Sequence, residues 1–203
     1  MRSIVLTFIL TLSLFIAHSQ EIAPGRYESG LRLAYDRQTQ MLTGYYDDTY
    51  PDSLSESGDP NVAGTFYIQG KAEGSSFPIA FYFPGEKNSR IVGSLRVGVN
   101  NEVYIRLSEE YGSLPNFQRF ATEPAMFRLE ERRNWSEIRY VNAANTGLYK
   151  DKNAKKPMVS IAKNRVVFVE KVDEEYALCS FYGKKPYKGW IRLTNLNTPE
   201  PAR

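Results

Sequence analysis

The chain has 203 residues, with 26 Lys and Arg against 23 Asp and Glu, one histidine and one cysteine. That length can bury one large core or two small ones. A lone cysteine excludes an intrachain disulfide, so stability must come from buried apolar area.

The first residues, MRSIVLTFILTLSLFIAHSQ, place one cation, Arg2, before an apolar run from Ile4 to Ala17. Ala17-His18-Ser19 then offers small residues at the two positions a signal peptidase reads. The run is too short to span a bilayer, which takes roughly 20 residues. Residues 1–19 are therefore expected to be a signal peptide cleaved after Ser19, giving an exported, periplasmic or secreted protein with no transmembrane segment after cleavage. No cysteine follows the apolar run to carry a lipid. The only histidine, His18, leaves with the leader.

From Gln20 to Tyr140 there are 13 cationic and 17 acidic residues; from Val141 to Arg203 there are 12 and 6. The change of sign predicts a boundary near residue 140. It divides the chain into residues 20–140, residues 141–198 and a short tail, 199–203.

The first part reads as β-structure. GRYESGLRLAYD alternates with period two, and MLTGYYDD can return as a hairpin arm. GTFYIQGKA, FPIAFYFPG, IVGSLRVGV, EVYIRL and AMFRLEE follow as further strands, with WSEIRYV as one more. Asn100-Asn101 is a tight-turn signal. Eight or so short strands joined by polar turns predict an antiparallel barrel or a sandwich. Tyr50 to Asn61 reads as a polar loop, and Leu107 to Pro124 as an irregular or helical insertion.

Phe77, Ile79, Phe81 and Phe83 share one strand face and are read as core, with Tyr82 opposite. Five tyrosines, Tyr45, Tyr46, Tyr67, Tyr82 and Tyr104, are the candidate ligand-binding residues, because Tyr on a barrel mouth can stack on a sugar or grip a peptide. Asp47, Asp48, Asp52, Glu56 and Asp59 lack the spacing of a calcium loop and read as solvated carboxylates.

The stretch PGRYESGLRLAYDRQTQMLTGYYDD, with its early Gly-x-Tyr and its Leu-Thr-Gly-Tyr, is similar to the opening hairpin of calycin-type barrels, the avidin-like ones in particular. The resemblance implies a barrel. It brings no binding residues, since the one tryptophan of this part, Trp135, lies late and the tryptophans of an avidin-type biotin site have no counterparts.

The second part packs TGLYKDKN, VVFVEKV, YALCSFYG and KKPYKGWIRL into about 57 residues. This order resembles the bacterial SH3-like domain, a small barrel. Leu148, Asn164, Val166 to Val169, Tyr176, Gly189-Trp190-Ile191 and Leu196 fit the positions of that family. Leu148, Tyr176, Gly189 and Trp190 are its expected structural residues, with Gly189 supplying backbone freedom and Trp190 a large apolar body across the small barrel. The arm LYKDKN departs from the family's Leu-Asn-Val-Arg, and Tyr176 stands where a tryptophan is usual. Cys179 shares a face with Ala177 and Phe181 and is read as a buried small hydrophobe.

Domains of this kind accompany cell-wall hydrolases that use Cys-His pairs or zinc. Without histidine, neither those mechanisms nor a Ser-His-acid triad is available to the mature chain, and carboxylates with one thiolate make a poor zinc site. No catalytic residue, metal or cofactor is expected. Adjacent acids such as Glu109-Glu110 and Glu130-Glu131 point to opposite strand faces and are not facing pairs. The sequence thus predicts an all-β exported binding protein acting in the bacterial cell envelope on a protein, peptide or glycan, and not on nucleic acid. The alternatives are a carboxylate-based glycan hydrolase with a targeting domain, and an inhibitor or immunity-type protein.

Overall fold

The computed structural model describes residues 22–47, 65–73, 76–86, 90–109 and 120–202. The expected signal peptide, the expected Tyr50–Asn61 loop, the acids from Asp48 to Asp59, Glu110 and most of the expected 107–124 insertion lie outside the described residues.

Eight antiparallel strands close into a barrel in chain order: β1 (Gly25–Tyr27), β2 (Leu31–Asp36), β3 (Met41–Asp47), β4 (Thr65–Lys71), β5 (Ser76–Tyr82), β6 (Ile91–Val97), β7 (Glu102–Leu107) and β8 (Ala125–Arg132). GRYESGLRLAYD is not one strand but two. A short 3-10 turn at Glu28–Gly30 breaks it, with Ser29 at φ 54° and Gly30 at φ 79°. That left-handed corner lets β1 turn away from the direction of β2 and pair with β8, Gly25 opposite Arg132 and Arg26 opposite Glu131, which closes the barrel. Asn100 and Asn101 have φ 56° and 60°, the pair of positive values a two-residue hairpin turn needs.

The alternation expected from the sequence fills the barrel. Leu31, Leu33, Leu42, Phe66, Ile68, Ile79, Phe81, Leu95 and Ile105 are all fully buried in one inward cluster. Tyr46 is among them, edge-on to Phe120 at 5.4 Å and to Phe127 at 6.1 Å. An eight-stranded barrel is just wide enough for its side chains to meet across the axis. Asp47, read as a solvated loop carboxylate, is instead a buried strand residue, because β3 extends to pair it with Thr65.

The second unit has a four-stranded sheet of order β14 (Pro186–Arg192), β13 (Tyr176–Tyr182), β12 (Val166–Asp173), β9 (Glu137–Tyr140), and a two-stranded sheet of β10 (Thr146–Leu148) and β11 (Val159–Ile161). Between the sheets lies a second core built from Leu148, Ile161, Val167, Val169, Cys179 and Ile191. β9 belongs here although it precedes residue 141: Ile138 sits opposite Phe168 and Tyr140 opposite Val166. A closed barrel has no free edge to take a ninth strand, so β9 joins the edge of the second sheet. No helix among the described residues is long and apolar enough to cross a membrane.

Gly189 has a specific job. The chain after β10 crosses β14 there, with paired backbone hydrogen bonds from Tyr149 N to Trp190 O at 2.9 Å and from Trp190 N to Tyr149 O at 2.7 Å. A Cβ on Gly189 would drive into the Tyr149 carbonyl oxygen. Gly189→Ala should therefore cost about 3 kcal/mol, with an unchanged urea m value, in equilibrium unfolding.

Candidate functional site

The five candidate tyrosines do not form one surface. Tyr45, Tyr67 and Tyr82 point out of the barrel wall, yet none is exposed, because β9 and β12 cover them. They share a cluster with Ala34, Trp135, Ile138, Tyr140, Val166 and Phe168. The Tyr67 hydroxyl donates to Ile138 O at 2.9 Å, and the Tyr82 hydroxyl donates to Gln69 Oε1 at 2.9 Å. The Tyr67 ring lies 5.1 Å from that of Tyr140 and 5.4 Å from that of Tyr82, both edge-on. Tyr46 is inside the barrel. Tyr104 is on the outer wall and donates to Glu102 Oε2 at 2.9 Å.

A different group is open. In β13 and β14, Ala177, Cys179 and Ile191 face the inner core, so Tyr176, Leu178, Trp190 and Arg192 share the opposite face. The register sets Tyr176 beside Arg192 and Leu178 beside Trp190. Trp190 is thus not across the small core, as the sequence led us to expect; Ile191 takes that place and Trp190 is half-buried on the outer face.

The segment between β10 and β11 folds over this face. Lys152 Nζ lies 5.0 Å from the Trp190 ring centre and 5.9 Å from that of Tyr176, and pairs with Asp173 Oδ2 at 2.9 Å. The hydrogen bond from Lys152 holds the Asp173 carboxyl below the usual carboxylate range. The Arg192 guanidinium sits 5.5 Å above the Tyr176 ring. Tyr149, Lys155 and Asn195 complete a cleft of about 180 Å³ with flat aromatic walls and a cationic rim. Such walls can stack on a ring or an apolar chain while the cations hold an anion.

A second, polar cleft of about 380 Å³ lies where the β2–β3 turn meets β9 and β12. Its acids are each occupied. Asp36 accepts from Gln38 N and Thr39 Oγ1, Glu137 from Arg139 Nε, and Glu170 from Ser180 Oγ and Lys188 Nζ. Of the acids weighed from the sequence, Glu131 pairs with Arg26 and Arg133, while Glu109 and Glu130 are exposed. The Cys179 thiol is fully buried and pushed above its ordinary range by desolvation, the opposite of what a nucleophile needs. No family model, curated protein or solved structure matches the chain.

Sequence reasoning does not single out Tyr149 or Arg192, and it counts Lys152 and Lys155 only among the lysines that make this unit basic and could meet an anionic partner. The signal was present for Arg192: once Ile191 is core, both of its neighbours must face out. Tyr149, Lys152 and Lys155 lie on a loop, where no period speaks.

Burial raises the Tyr67, Tyr82 and Tyr27 phenols well above their ordinary value of 10.0. In the unfolded chain they ionise near that value; in the folded chain they stay protonated. Their stabilisation is complete below about pH 10 and is lost as pH rises further, at about 1.4 kcal/mol per pH unit for each phenol. Urea unfolding across that range should show this decline, and Tyr67→Phe should show a shallower one on top of a loss of about 1 kcal/mol at neutral pH.

Proposed function

We propose that this is an exported, non-catalytic binding protein of the bacterial cell envelope, with the barrel as rigid support and the second unit as the gripping module. The leader at residues 1–19 supports export. The reading of the second unit as SH3-like is supported by Leu148 in the small core, Asn164 at φ 68° before the valine-rich strand, and the close crossing at Gly189. The absence of histidine after residue 18 and the inertness of Cys179 support binding without turnover.

The observation that carries the proposal is the half-open Tyr176–Trp190 face with its cationic rim. Trp135 and Tyr45, Tyr46, Tyr67 and Tyr82 are buried, whereas Tyr176 and Tyr149 line a cleft and Trp190, half-buried on the same sheet face, keeps part of its surface beside it. Trp, Tyr and Arg are the residue types most enriched at binding hot spots. Extended envelope polymers, a peptide-bearing glycan above all, suit a shallow cleft of this size better than a small ligand that must be enclosed.

The test is cosedimentation of the mature protein, residues 20–203, with purified peptidoglycan. Trp190→Ala and Tyr176→Ala should each weaken binding about tenfold or more, while Tyr104→Phe on the barrel wall leaves it unchanged. The same preparation should release no soluble fragments. Unaltered binding by Trp190→Ala, or steady release of product, would refute the reading.

A further inference from the structure

We infer that the cleft takes its polymer by a carboxylate, seated at the Lys155–Arg192 side of the Tyr149–Tyr176 walls. The inference rests on the reading of this cleft as the binding site and adds the chemical class of its ligand.

The charge balance of the cleft carries it. Three cations line it: Lys152, Lys155 and Arg192. Of the nearby carboxylates, Asp173 is held by Lys152 at 2.9 Å and approached by Lys171 at 3.6 Å, and Asp151 accepts from Asn153 N at 3.0 Å. Lys155 and Arg192 pair with no carboxylate among the described residues, although Glu174 and Glu175 stand exposed in the turn before Tyr176. Uncompensated cations around a concave surface focus a positive potential and draw an anion. Lys152 is committed to Asp173 and to the Trp190 ring, so it shapes the wall while the other two remain for the ligand.

The anion is a carboxylate by its shape. The planar fork of a guanidinium takes either a carboxylate or a phosphate in two parallel hydrogen bonds, so the flat walls decide between them. A flat group also enters between aromatic walls, and a chain attached to it continues along the sheet face past Leu178. A tetrahedral phosphate would use the charge and not the walls.

The experiment titrates the full mature protein, by tryptophan fluorescence, with soluble peptidoglycan fragments bearing free carboxylates. The same fragments with their carboxylates converted to methylamides form the second arm, and vesicles rich in phosphatidylglycerol the third. Free-carboxylate fragments should bind, the amidated ones about tenfold or more weakly, and the vesicles not at all. Raising salt from about 50 to about 300 mM should weaken binding several-fold. Arg192→Gln and Lys155→Gln should each reduce affinity about fivefold and flatten that salt dependence, while Lys163→Gln, exposed and away from the cleft, changes neither.

Equal binding of free and amidated fragments, with Trp190→Ala still abolishing it, would overturn the carboxylate and leave the binding function standing. Binding to vesicles in preference to fragments would overturn it in favour of a phosphate surface. Binding of no fragment at all would remove both readings.

Discussion

The molecule depends on how one residue of an edge strand is satisfied. Ile138 is buried in β9, whose far side is bonded to β12. On its other side no strand among the described residues pairs with it. Instead Thr43 Oγ1 accepts from Ile138 N at 2.7 Å and the Tyr67 hydroxyl donates to Ile138 O at 2.9 Å. Two side chains on the barrel wall thus complete the backbone pairing of a sheet edge that would otherwise be buried unmet, a loss of about 1–3 kcal/mol for each group. The tyrosine cluster follows from that contact: with β9 seated on the wall, Tyr45, Tyr67 and Tyr82 are removed from water together with Tyr140 and Phe168.

The tail fastens the same junction from a second direction. Asn197 N donates to Tyr140 O at 3.0 Å, and Asn197 Oδ1 accepts from Tyr140 N at 2.7 Å. Glu200 N then reaches Gln69 Oε1 on the barrel at 3.3 Å. One face of the second sheet is consequently divided. Its β9–β12 side is covered by the barrel, and its β13–β14 side, with Tyr176 and Trp190, is covered only in part, by the segment between β10 and β11. The partly open half is held in register by the covered half, which is how a rigid barrel contributes to a cleft it does not line.

Much of the fold was legible in the sequence because period-two alternation is a local signal. Phe77, Ile79 and Phe81 facing inward, Cys179 with Ala177 and Phe181, and the Asn100-Asn101 turn all follow from spacing and side-chain type. What was not legible is which strand pairs with which. WSEIRYV reads as a strand, but nothing in it says that the barrel is already closed and that β9 must serve another sheet. The same gap hid which aromatic side chains are covered. Tyrosine on an outward strand face looks like a binding residue until a second sheet is known to cover it, and Trp190 looks like core until Ile191 is known to occupy the core. The break of the first predicted strand at Ser29 and Gly30 was written only as a Ser-Gly pair inside an otherwise regular alternation.

The most direct test is scanning calorimetry of residues 20–203. If the Ile138 contact and the tyrosine cluster make barrel and second sheet one cooperative body, the protein melts in a single transition with a calorimetric to van't Hoff enthalpy ratio of about 1. A Thr43→Val, Tyr67→Phe double variant should then broaden or split that transition. Two independent transitions in the unaltered protein, unmoved by the double variant, would contradict the account.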